Sequence, residues 1–182
     1  MRKQLTICMI AVLAAGLLAS AAGAVPFAYL VGPAGPVVTG DPFSVQVFAD
    51  GVEPTDQLVA FGFDASNDPG ITFTTAVVGA AFNDDSGLFP TTQVQGSAFP
   101  GVSGDGILLA TLQFVAGSTP GSYGVSVGTS PGDFGISEGL LTELGVAPLA
   151  ASTTVTIVPE PGTALLLGFG MAALARSRRR CS

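Results

Sequence analysis

Alternating apolar and polar positions organise the middle of this chain. Phe43-Ser44-Val45-Gln46-Val47-Phe48 alternates throughout, as a strand with one buried and one wet face does. Leu58 to Phe63 and Ile71 to Val78 are further β-rich runs. Between them Asn67-Asp68-Pro69-Gly70 predicts a turn, because Pro fixes φ and Gly admits φ > 0. Ile107 to Val115 is a long, largely apolar run introduced by Ser103-Gly104-Asp105-Gly106, and it predicts a central strand. Tyr123 to Val127 and Thr153 to Val158 complete the strongest set. Asn83 to Gly101 predicts loop with one or two short strands, and Thr129 to Pro148 a turn followed by a helical turn near Ser137 to Leu144. No long amphipathic helix interrupts this series. Short strands between Gly- and Pro-bearing turns predict an all-β fold, a single β-sandwich over residues 25–158.

The two ends follow other rules. Arg2 and Lys3, the apolar run Leu5 to Leu18 and the small residues Ala22-Gly23-Ala24 make a secretory signal peptide over residues 1–24. Val25 is then the mature N-terminus, with Ala19-Ser20-Ala21 as an earlier alternative cut. After Val158 the prolines of Pro159-Glu160-Pro161 cannot donate ladder hydrogen bonds, so strand pairing should stop there. The apolar run Thr163 to Ala175 follows, closed by Arg176, Arg178, Arg179 and Arg180, charges that hold such an end on the cytoplasmic side.

Charge sharpens the picture. Of thirteen acidic residues only Glu160 lies outside 25–158, leaving twelve in the body. All six basic residues are in the end clusters and there is no histidine. The body can therefore form no side-chain salt bridge, and its stability must rest on apolar burial and backbone hydrogen bonds. An acidic surface of this kind repels nucleic acid and attracts cations. The two cysteines, Cys8 and Cys181, lie in the end segments, so no disulfide staples the body.

Pro159-Glu160-Pro161, the apolar run and the terminal arginines together resemble the PEP-CTERM sorting signal of Gram-negative bacteria. The resemblance covers 159–182 and implies processing by an exosortase, a membrane-embedded transpeptidase-like protease. The C-terminal helix would contact the membrane before processing, and the product would be exported through the inner membrane to the cell surface or beyond. A second resemblance lies in the body. Gly40-Asp41-Pro42-Phe43-Ser44-Val45, then Val59 to Asp64 with Asp68-Pro69, then Gly104 to Phe114, are similar to cohesin-type modules. This implies a jelly-roll sandwich in the broad group that includes some carbohydrate-binding modules, and a dockerin-type protein partner.

Candidate chemistry is sparse. Gly135-Ile136-Ser137-Glu138-Gly139 matches the G-x-S-x-G nucleophile elbow, but the chain offers Ser137 no histidine, so a glycine-flanked surface turn is expected. Asp64 with Asp68, or Asp84 with Asp85, are the nearest carboxylate pairs for a glycosidase, without a tryptophan to stack on a sugar. Asn83, Asp84 and Asp85 offer hard oxygen donors on one segment and are candidate calcium ligands; turn chemistry explains the same residues. No other cofactor is implied. The sequence thus predicts a non-enzymatic, exported binding or structural protein of the exopolysaccharide-rich extracellular matrix. The alternatives are a carbohydrate-binding or dockerin-binding module, or a carboxylate-based glycosidase. A sugar site would draw on Tyr29, Tyr123 and exposed phenylalanines.

Overall fold

The computed structural model describes residues 25–130, 132–135, 137–162, 165–169 and 171. The expected signal peptide, the arginine cluster and both cysteines lie outside the described residues. The described strands are β1 (Phe27–Val31), β2 (Val37–Val38), β3 (Pro42–Asp50), β4 (Leu58–Asn67), β5 (Ile71–Val78), β6 (Asn83–Asp84), β7 (Val94–Val102), β8 (Ile107–Ala116), β9 (Gly121–Gly128), β10 (Gly139–Thr142), β11 (Val146–Ala147) and β12 (Ala151–Val158).

They form two sheets. The four-stranded one runs β1-β3-β8-β5, antiparallel throughout. The other is eight-stranded, ordered β11-β10-β4-β9-β12-β2, with β7 also on β4 and β6 on β7. Only β2 joins its neighbour, β12, in parallel among the described pairs.

Alternation on β3 buries Phe43, Val45, Val47 and Ala49, as its pattern requires. On β8 the expected central strand is present, but its parity breaks: Leu109 and Ala110 are both buried. The register against β3 skips Leu109, passing from Val47↔Ala110 to Phe48↔Leu108. A β-bulge there turns two successive side chains inward. From the second sheet Leu58, Phe63, Val94, Val125, Leu140, Val155 and Ile157 close the core. Phe114 stacks on Phe43 at 5.4 Å and meets Phe73 edge-on at 5.5 Å. Each such side chain contributes about 1.5–3 kcal/mol by leaving water.

One expectation is extended and another corrected. Asn83 to Gly101 holds two strands with loop between them, β6 and β7, and β7 (Val94–Val102) is a longer strand than expected, paired with β4. It takes its place through tertiary pairing that overrides the weak β signal of Gln95-Gly96-Ser97. Gly139–Thr142 is a strand on β4, where a helical turn was expected. The spacing of Leu140, Leu141 and Leu144 suits a helix, yet pairing to Ala60, Phe61 and Gly62 decides the conformation. β9 pairs with Asp64–Asn67 of β4 and β10 with Leu58–Gly62, so the described residues between β9 and β10 loop out from the sheet.

Candidate binding cavity on the second sheet

That excursion builds a cavity. At Gly62 of β4 a Cβ would lie 1.8 Å from the Ser137 carbonyl oxygen, so only glycine lets the excursion lie on the strand. Gly139, at φ +122°, opens β10 in a conformation that L side chains rarely adopt. Between these residues, β7 and the segment after β6 lies a cavity of about 310 Å³. Phe61, Leu88, Phe89, Leu141 and Val146 supply its apolar lining, and Asp85, Gln95, Ser97, Ser137 and Glu138 its polar lining. Leu88 is 70% exposed, and Phe89, Leu141 and the neighbouring Phe134 are also exposed, which gives the mouth an apolar rim.

Glu138 is the unexpected member. It is 3% exposed, not part of a surface turn. Its Oε2 accepts the Ser130 backbone N–H, and its Oε1 accepts a long bond of 3.4 Å from the Thr92 hydroxyl. Thr92 and Ser137 hydroxyls lie 2.8 Å apart. With Thr92 donating to Glu138, the Ser137 hydroxyl donates to Thr92. Gln95, also buried, donates through Nε2 to the carbonyls of Phe89 and Thr92, which fixes the wall behind. This arrangement contains hydroxyls and carboxylates but no imidazole, amine or thiol.

The other predicted residues are dispersed. Asn83 and Asp84 form β6, paired with Ser97 and Gly96. Asp84 Oδ1 accepts the Ser86 N–H at 3.0 Å. Hydrogen bonding to the Ser86 side chain, then to its backbone N–H, holds the Asp84 carboxyl below its ordinary pKa. Asp85 faces the cavity instead. Among the described residues no group of three or more His, Cys, Asp or Glu is placed to hold a metal ion. Asp64 and Asp68 each accept a backbone N–H, from Gln93 at 2.9 Å and Gly124 at 2.7 Å.

Of the tyrosines, Tyr123 is structural, its hydroxyl donating to the Thr119 carbonyl at 2.8 Å while its ring fills the space beside Gly70. Tyr29 stacks on Phe48 at 5.4 Å and contacts the half-exposed Phe27, an aromatic row on the first sheet. Partial desolvation, then the charges of Asp50 and Asp105, push the Tyr29 phenol up.

Pro159, Glu160 and Pro161 are exposed and follow β12 directly. Residues 161–162, 165–169 and 171 are helical, with Leu165, Leu166, Leu167, Phe169 and Met171 all exposed. Among the described residues no helix is long and apolar enough to cross a membrane. The remainder of the expected membrane segment and its arginines lie outside the described residues.

Residues 158–180 match the PEP-CTERM protein-sorting motif. Among solved structures, the cohesin module of a family 33 glycoside hydrolase from Clostridium perfringens aligns at a TM-score of 0.55 and 10% identity, covering 75% of this chain and 99% of that one. A non-cellulosomal cohesin from Archaeoglobus fulgidus aligns at 0.47 and 15%, covering 77% and 96%. The sixth cohesin of Acetivibrio cellulolyticus scaffoldin B, solved with a dockerin, aligns at 0.45 and 15%, covering 74% and 99%. A search of curated proteins finds no match. The body therefore has a cohesin-like jelly-roll fold, and the chain carries a PEP-CTERM sorting motif.

Proposed function

We propose that this chain is an exported, exosortase-processed protein whose cohesin-like body is a non-catalytic protein-binding module at the cell surface or in the extracellular matrix. The observation that carries this reading is the position of the sorting motif. It begins at the last residue of the last strand and its Pro159-Glu160-Pro161 is exposed, so a protease can cut there without opening the sandwich. The rimmed cavity on the second sheet supports a protein partner, of the dockerin type that the resemblance implies, because apolar side chains around a concavity suit a protein surface. Intact-mass analysis of surface material should show a product beginning near Val25 and ending close to Pro159-Glu160-Pro161. A product running through Ser182 would overturn the processing step. Capture of a protein from native extracellular material should weaken on Leu88→Asp, a change at an exposed position; undiminished capture would remove the cavity face from the reading.

A second reading has its own observation. The row Phe27, Tyr29 and Phe48, beside Asp50 and Asp105, offers aromatic surface with hydrogen-bond acceptors nearby, which suits a carbohydrate and so an exopolysaccharide. Retention on exopolymer that disappears with Phe27→Ala and Tyr29→Ala would establish it.

A further inference from the structure

The cavity points to the chemistry of what enters it. We propose that it receives an arginine or lysine side chain presented by the protein partner; this deepens the protein-binding reading and rests on it. Glu138 is the first reason. It is buried and hydrogen-bonded by two neutral donors, the Ser130 N–H and the Thr92 hydroxyl. A carboxylate taken out of water without a counter-charge is costly, and between Val25 and Val158 the sequence holds no lysine, arginine or histidine to supply one. A side-chain cation to pair with it can come only from outside this segment. A second carboxylate, Asp85, lines the same cavity.

The walls are the second reason. Phe61, Leu88, Phe89, Leu141 and Val146 make an apolar sleeve around a polar interior. Long basic side chains have the matching character, an aliphatic stem with a charged head, and a guanidinium fork can bond a carboxylate in two places. At about 310 Å³ the space lies at the small end of ligand sites, sized for a side chain and not for an oligosaccharide. The acidic, base-free body also draws cationic segments toward it from a distance.

The test uses the full exported chain and an acetylated, amidated Gly-Leu-Arg-Leu-Gly peptide. Its counterpart carries citrulline, the neutral shape-mimic of arginine, and a glucosamine oligomer serves as a cationic sugar. Amide resonances around Gly139 report binding. The arginine peptide should bind at least about tenfold more tightly than the citrulline peptide, the size expected of a charge-assisted hydrogen bond. Glu138→Gln keeps the side chain's shape and an acceptor oxygen, and should erase that difference while the melting curve stays cooperative. If this variant does not fold, Leu141→Glu at the exposed rim takes its place, and should strengthen the arginine peptide several-fold without changing the citrulline one.

Equal binding of the two peptides at the cavity would overturn the proposal. So would full discrimination in folded Glu138→Gln, or occupancy by the glucosamine oligomer in place of the peptide. A chain that captures its native protein partner but shows none of this discrimination would lose the cation site and keep the protein-binding function. A chain that binds neither peptide nor protein would lose both.

Discussion

Lacking bases, the carboxylates of this body work as acceptors for backbone N–H groups and tie distant loops together. Asp56 Oδ1 takes the Leu144 N–H at 2.8 Å, Asp105 Oδ1 the Gly51 N–H at 2.9 Å, and Asp68 Oδ2 the Gly124 N–H at 2.7 Å. The acceptor oxygen matters here more than the charge. Asp68→Ala should cost about 1 kcal/mol or somewhat more, the usual worth of such a bond. Asp68→Asn keeps an oxygen and removes one repulsive charge, so it should be neutral or stabilising in urea unfolding. Asp84 adds a pH signature. Its folded pKa is depressed by Ser86, so its stabilisation is present above the unfolded carboxyl value and fades as pH falls through the lowered one. The site is exposed and the effect on stability small. A carboxyl NMR titration should place Asp84 below free aspartate, and Ser86→Ala should move it upward.

At the scale of strands, legibility followed the number of covered faces. β3 has one wet face, so its alternation was plain in the sequence. The β8 bulge was hidden, because in Ile107-Leu108-Leu109-Ala110 no polar residue marks the parity change. The full length of β7 and the strand conformation of β10 are not legible in the sequence where the excursion covers β4 and burial reaches polar or ambiguous residues such as Gln95 and Thr142. The cavity shares that cause. Ser137 and Glu138 were conspicuous for a glycine-flanked pattern, but only the pairing of Gly139 with Gly62 draws Glu138 inside. The sole signal in the sequence was an acid in a chain segment without bases. Mutations should divide along the same line. Leu112→Ala in the centre of β8 should cost about 2–5 kcal/mol, from lost burial plus the cavity left behind. Phe99→Ala deletes a larger side chain that is 98% exposed, and should stay within about 0.5 kcal/mol. Gly62→Ala must displace the Ser137 carbonyl, at about 1–3 kcal/mol, and should weaken partner capture as well.

For the molecule as a whole, the unbalanced charge sets the response to ions. The twelve acids of residues 25–158 repel one another more in the compact fold than in an expanded chain. Salt screens that repulsion, with the Debye length falling to about 10 Å at 0.1 M, so the melting temperature of the exported protein should rise with sodium chloride. Calcium separates screening from binding. An ion that binds only the native state stabilises by mass action beyond any screening. The described residues hold no group of acids placed for a metal, and Asp84 already spends an oxygen on Ser86 while its neighbour Asp85 faces the cavity. Calcium and sodium salts at matched ionic strength should therefore give superimposable melting curves. An excess stabilisation by calcium that vanishes in Asp85→Asn would instead establish Asn83, Asp84 and Asp85 as a site. Since Asp85 also lines the cavity, such an ion would sit beside the mouth and oppose a cationic guest. The arginine peptide would then bind more weakly in calcium than in sodium, and that competition is the measurement that links the charge of the whole domain to its one enclosed carboxylate.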